Sequence, residues 1–361
     1  MSKYIQKIEG YQLVNAGMFN VAKGIAVAIV ILEHALDLKL GSADLGFTSR
    51  IVHNMVIPLF FIVSGYSFAP CKMKKGIARQ AKMLLKPYAY TAIGVLILSF
   101  VAWLIFCPPL LRSFVRVGQD LVGYVLGLSF DLEIGGHYYA LGVGTVWYLL
   151  ALFLTWVLMN FLVQKLGSKP KVFWTSILAC MILGTVVGSF IKLPWCIIPA
   201  LCCIGCYSFG WWLKKKNVFA NPVSWKILLA CFAVSLLSGF LGRFNMASST
   251  WTLGIIDIVV ASSGALFVIA VTVRASAYDW PLKRGISWLG RNSLTLICLE
   301  CLFNHGLPWL EMFELFNLDT VSAVIFSYVV MIPLISIAAF VISKLPKKKK
   351  SKNKAGKKEK K

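Results

Sequence analysis

The sequence predicts an all-α, polytopic integral membrane protein of about ten transmembrane helices with both termini in the cytoplasm, and three observations predict it. First, 58% of its 361 residues are hydrophobic and its mean hydropathy is +0.77, above the roughly 45–50% apolar content of soluble domains. That excludes a soluble enzyme and a disordered chain. The ten cysteines, eight of them within the apolar stretches named next and two at their edges, exclude a small disulfide scaffold as well. Second, apolar windows long enough to cross about 30 Å of hydrocarbon recur at 18–37, 51–70, 88–106, 146–164, 171–191, 195–213, 225–242, 252–273, 286–305 and 320–343. Third, with the N-terminus in the cytoplasm, 29 of the 37 lysines and arginines fall in inside segments, six fall outside and two lie within spans, as the positive-inside rule requires.

Residues 1–17 are mixed and polar with no small-residue cleavage site after the first apolar run, so the first span is expected to stay as an anchor. Residues 1–343 form one expected transmembrane domain. The remainder, 344–361, is a Lys-rich tail whose eleven lysines against one glutamate give it a charge of +10. Such a polycation cannot bury a core and suits anionic headgroups of membrane lipids at about 1 kcal/mol per charge. It lacks interleaved aromatics, so no nucleic acid is expected as a partner.

Ionisable side chains at membrane depth cost several kcal/mol unless paired or hydrated, which makes them functional candidates. The first span, NVAKGIAVAIVILEHAL, has the densest set: Lys23, Glu33 and His34. Eleven helical residues turn about 1100°, roughly 20° from whole turns, and rise about 16.5 Å. Lys23 and His34 therefore share a face, one near the cytoplasmic end and one near the outside. That stripe suits an anionic ligand at one end and proton chemistry at the other; the plainer reading is a snorkelling lysine and a hydrated boundary.

After the second span comes a dense basic loop, Lys72, Lys74, Lys75, Arg79, Lys82 and Lys86. It can hold the phosphates of a soluble donor or simply set topology. The long outer connection, 107–145, reads as a substrate-facing cap or as a passive interfacial helix. In the eighth span, Asp257 is placed against interfacial water. The ninth span carries Glu300 at a depth similar to that of His34, so the two meet if their helices pack. All four histidines, His34, His53, His137 and His305, fall in the outer half or outside, which points to chemistry there. The pairs Cys203/Cys206 and Cys298/Cys301 lack companion ligands and read as packing, so no metal is expected. Walker, dinucleotide-binding, nucleophile-elbow and HExxH motifs are absent.

Five segments, in order, carry a family likeness. KGIAVAIVILEH resembles an opening Arg-x10-His helix, with Lys23 at the arginine position and His34 at the histidine. VIPLFFIVSGY matches a hallmark second helix through Pro58, Phe60, Phe61, Ser64, Gly65 and Tyr66. Arg79, Lys82 and Lys86-Pro87-Tyr88 resemble a basic run, VWYLLALF a tryptophan segment through Trp147, and LGRNSLTLICLE a late Gly-x-x-Ser-Leu helix. The chain thus resembles the membrane-bound acyltransferase-3 family, O-acyltransferases of sugars and other hydroxyl acceptors. Two positions depart from it: Lys23 for arginine, which loses the bidentate fork, and Glu300 where many relatives have histidine.

The resemblance implies a multi-pass cell-membrane enzyme with no bound cofactor. Acyl-CoA, by expectation acetyl-CoA, is its co-substrate from the cytoplasm, and a glycan or other hydroxyl acceptor is presented in or beyond the membrane. In those terms His34 is the general base or a relay, and Glu33 or Glu300 orients it. Lys23, Arg79, Lys82 and Lys86 are the donor-binding candidates. His53, His137, Trp147 and His305 are the acceptor-side candidates. The competing reading is a transporter or flippase for a lipid-linked saccharide.

Overall fold

The computed structural model describes residues 16–40, 46–108, 110–242 and 244–344. Lys3, Lys7, Arg243 and the basic tail from 345 onward lie outside the described residues.

The first half holds α1 (Asn20–Leu40), α2 (Phe47–Tyr66), α3 (Met73–Gln80), α4 (Lys86–Phe106) and α5 (Leu110–Leu126), then a short antiparallel hairpin of β1 (Leu132–Ile134) and β2 (His137–Ala140). The second half holds α6 (Trp147–Leu166), α7 (Pro170–Phe190), α8 (Ile197–Lys215), α9 (Trp225–Leu241), α10 (Ile255–Ala275), α11 (Lys283–Arg291), α12 (Ser293–Gly306), α13 (Trp309–Leu315) and α14 (Thr320–Lys344).

Among the described residues, seven helices are long and apolar enough to cross a membrane. The sequence expectation of ten counted three more windows, which are helical but differ from a complete span for visible reasons. Lys23, Glu33 and Asp37 charge α1, α9 has only 17 residues, and the ninth window breaks at Asn292 into α11 and α12. At that break the Asn292 side chain donates to the Trp288 carbonyl, 2.8 Å away, and closes the end of α11.

The core is built by α1, α2, α6, α8, α10 and α12, with α2 packed most closely against α8 and α1 against α11. Two glycines permit the α1–α11 crossing: a Cβ on Gly24 would strike the Ile286 carbonyl, and one on Gly290 the Asn20 carbonyl. Small residues of this kind let membrane helices meet backbone to backbone. Around this core, α4, α7 and α14 turn rows such as Ile93, Ile97, Leu178, Val186, Val329 and Ile337 outward, exposed. A soluble protein rarely shows so much contiguous apolar surface; a lipid-facing one does.

Two local expectations change, and the structure fills in a third stretch. The basic stretch 72–86 is not a loop, because α3, one π turn at Ala81–Leu85 and α4 run on as a helix from Met73 to Phe106. The connection 107–145, read as a cap or an interfacial helix, holds α5 and the β1–β2 hairpin, and Asp120, buried on α5, accepts from Ser99 of α4 at 3.1 Å and from Arg116 at 3.3 Å. Asp257 is also buried rather than set at an interface, and its Oδ2 accepts the amides of Thr252 and Leu253 at 2.8 Å each at the entry to α10, while Oδ1 is enclosed with no hydrogen-bond partner among the described residues.

Candidate active site

The two ends of the bundle differ in chemistry. At one, Lys214 donates to the Phe68 carbonyl at 3.0 Å, which brings the basic flanks of α2 and α8 together. His34, His53 and His305 gather toward the other end, around a cavity of about 330 Å³.

His34 projects from α1 toward α12, and its Nδ1 lies 3.0 Å from Oε1 of Glu300. Glu300 is 0% exposed and the His34 side chain is 34% exposed, so the carboxylate is enclosed while the ring stays reachable. A buried carboxylate is tolerable only when its oxygens are hydrogen-bonded. Here the second oxygen, Oε2, accepts from Thr145 Oγ1 at 2.6 Å. With Nδ1 directed at the carboxylate, Nε2 carries the lone pair, the arrangement a general base needs.

Thr145 is delivered by the end of the long connection 107–145, through Gly144. Gly144 has φ +57°, and a Cβ there would enter the His305 ring. Only glycine meets both demands, a left-handed backbone and a flat surface under an imidazole.

Glu33 does not face His34. It pairs with His53 of α2, with 3.2 Å between Nδ1 and Oε2. Of the two carboxylates considered for orienting His34, Glu300 is thus the one in contact with it.

Three cavities follow one another through the bundle. The one at the histidine end, named the outer cavity for the expected topology, is about 330 Å³ and is lined by His34, Asp37, His53, Trp147, Glu300 and His305, among others. It is roofed by the turn Phe244–Ala247, which Asn54 pins by donating to the Gly242 carbonyl and accepting the Phe244 amide. The inner one, about 570 Å³, is lined by Lys23, Ser64, Arg79, Gln80, Tyr148 and Tyr207, among others. A middle space of about 60 Å³ lies between them; it shares His34, Trp147 and Thr145 with the outer cavity and Phe60, Tyr148 and Ile297 with the inner one.

The sequence candidates therefore divide. Lys23 and Arg79 meet at the inner cavity, as the shared face of Lys23 and His34 on α1 anticipates. Lys82 and Lys86 are exposed and outside its lining, and Lys86 rests over the Tyr90 ring, 5.3 Å from its centroid. His53, Trp147 and His305 line the outer cavity, whereas His137 is exposed on β2 and stands apart from it. Thr145, Asn54 and the roof turn escaped sequence reasoning. Asn54 had a signal, since a polar side chain one residue from a histidine in an apolar helix is itself costly; Thr145 had none. Among the described residues, no three His, Cys, Asp or Glu side chains converge as metal ligands.

The model of the acyltransferase-3 family, an acyltransferase domain, matches residues 18–344. Comparison with curated proteins and with solved structures returns no match. The match spans nearly all of the chain, from the start of α1 to the end of α14, and the chain belongs to the acyltransferase-3 family. It is a membrane acyltransferase.

Proposed function

We propose that this acyltransferase moves an acetyl group from acetyl-CoA, entering from the cytoplasm, to a hydroxyl of a saccharide or cell-surface glycan on the outer side of the cytoplasmic membrane. The observation that carries this reading is the position of His34. Paired with Glu300, it stands in the wall common to the outer cavity and the middle space, between two cavities of opposite character.

In this reading Lys23 and Arg79 hold the phosphates of the donor by charge-assisted hydrogen bonds. The pantetheine arm fills the inner cavity, and the thioester reaches the middle space. The acceptor occupies the outer cavity, which is within the usual size range of ligand pockets, about 300–1,000 Å³. Its asparagines, Asp37 and the Trp147 ring supply the hydrogen-bonding and flat apolar surfaces a sugar needs.

The chemistry needs no protein nucleophile. Nε2 of His34 takes the proton as the acceptor oxygen attacks the thioester carbonyl, so a C–O bond forms. The tetrahedral intermediate collapses, the C–S bond breaks, and the imidazolium returns the proton to the thiolate as free CoA. Glu300 holds the ring and stabilises its charged form, and Thr145 holds Glu300.

The test is release of CoA and formation of an ester by the purified protein given acetyl-CoA and candidate glycans. Acceptor-dependent CoA release supports the reading; saccharide movement across vesicles with no CoA release contradicts it.

A further inference from the structure

The middle space is the smallest of the three cavities and shares lining residues with both of the larger ones. Val30, Val56, Ile57, Phe60, Tyr148 and Ile297 make its apolar wall with Glu33 beside them, and His34, His53, Thr145 and Trp147 are shared with the outer cavity. Phe60, Tyr148 and Ile297, all buried, also line the inner cavity, so they form the rim between the two. That rim is braced. The Tyr148 ring packs on Phe60 at 5.7 Å and on Phe61 at 5.2 Å between centroids, and its hydroxyl lies 3.5 Å from Ser64 Oγ. Side chains packed this densely do not open freely to admit a larger group.

From this geometry we infer that the middle space is an acyl-length ruler and that Phe60 and Ile297, on its wall and rim, bound the room left for the acyl chain. The inference rests on the acyl-CoA reading above and adds the residues that decide which acyl group is taken. At about 10–15 Å³ for each water-sized group, about 60 Å³ accepts a few heavy atoms. An acetyl group with its carbonyl oxygen fits; a chain of eight carbons does not. With the thioester sulfur at the rim, the acyl carbon faces His34 and the methyl group fills the apolar wall. A longer chain either holds the thioester back in the inner cavity or occupies the place of the attacking hydroxyl. Neither geometry lets the C–O bond form as the C–S bond breaks.

One methylene in an apolar pocket is worth roughly 10- to 200-fold in discrimination, so the effect is large enough to read. The experiment compares kcat/KM for acetyl-, butyryl- and octanoyl-CoA in wild type, Phe60→Ala, Ile297→Ala and the milder Ile297→Val, each checked for membrane insertion and monodispersity in detergent. The expected result is a wild type that prefers acetyl to octanoyl by at least about 100-fold. Phe60→Ala or Ile297→Ala then narrows the acetyl-to-butyryl ratio by about tenfold or more, and Ile297→Val moves it less in the same direction. Unchanged ratios in all inserted variants, or a wild type that uses octanoyl-CoA as well as acetyl-CoA, overturn the ruler and leave the acyltransferase reading standing. A wild type that uses no acyl-CoA at all removes the donor assignment and the ruler together.

Discussion

Glu300, on a helix nearly 270 residues after His34 in the chain, presents Oε1 to Nδ1 of that histidine at 3.0 Å and spends its other oxygen on Thr145. The relationship fixes which imidazole nitrogen is free, and the site's chemistry depends on it. Replacing Glu300 with Gln keeps the shape and removes the charge that orients and stabilises the ring. The expected loss in acyl-transfer rate is about 100- to 10,000-fold, the range for losing a correctly oriented general base. Steady-state rates with donor and acceptor both saturating provide the check.

Thr145→Val removes the donor to Oε2 and leaves a buried carboxylate oxygen without its partner. A loss of about 1–3 kcal/mol is expected, shared between stability and activity, and Thr145→Ser restores most of it. Thermal unfolding in detergent and acyl-transfer rates, measured on both variants, separate the hydroxyl from the methyl group.

Gly144→Ala places a Cβ in the His305 ring at a residue with φ +57°. A left-handed conformation alone costs a non-glycine residue about 1–2 kcal/mol, and the collision adds to it. A lower melting temperature and a displaced Thr145, read as reduced transfer, are expected together; an unchanged melting temperature contradicts the geometry.

Lys23→Met and Arg79→Met each raise KM for the CoA donor by about tenfold, the effect of losing one charge-assisted hydrogen bond, with little change in kcat. Lys82→Met and Lys86→Met, whose side chains lie outside the inner cavity, leave KM within about twofold, as exposed charges usually do. Equal effects at all four positions contradict the placement of the donor.

Much of this arrangement was legible in the sequence. The phase of α1 follows from an eleven-residue spacing close to three turns, so Lys23 and His34 reach the two ends of one path. Counting inward from the outer ends of two spans put His34 and Glu300 at matching depth, and the contact follows once α1 and α12 pack. Side-chain partners off that line were not legible. Glu33, adjacent to His34 in sequence, points about 100° around the helix and meets His53, a choice made by the rotation of α1 against α2. Thr145 belongs to a short turn, Gly144–Val146, that is placed by its packing on α12, and nothing in its neighbours marks it. The basic stretch looks like a loop in sequence because its charges mask the helix that one π turn joins to α4.

The decisive measurement is the acyl-transfer rate of His34→Ala, with membrane insertion verified, followed by both CoA release and ester formation. Loss of the base is expected to slow transfer by at least about 100-fold while donor binding is retained. Transfer at the wild-type rate from an inserted, donor-binding His34→Ala protein contradicts the role assigned to that imidazole.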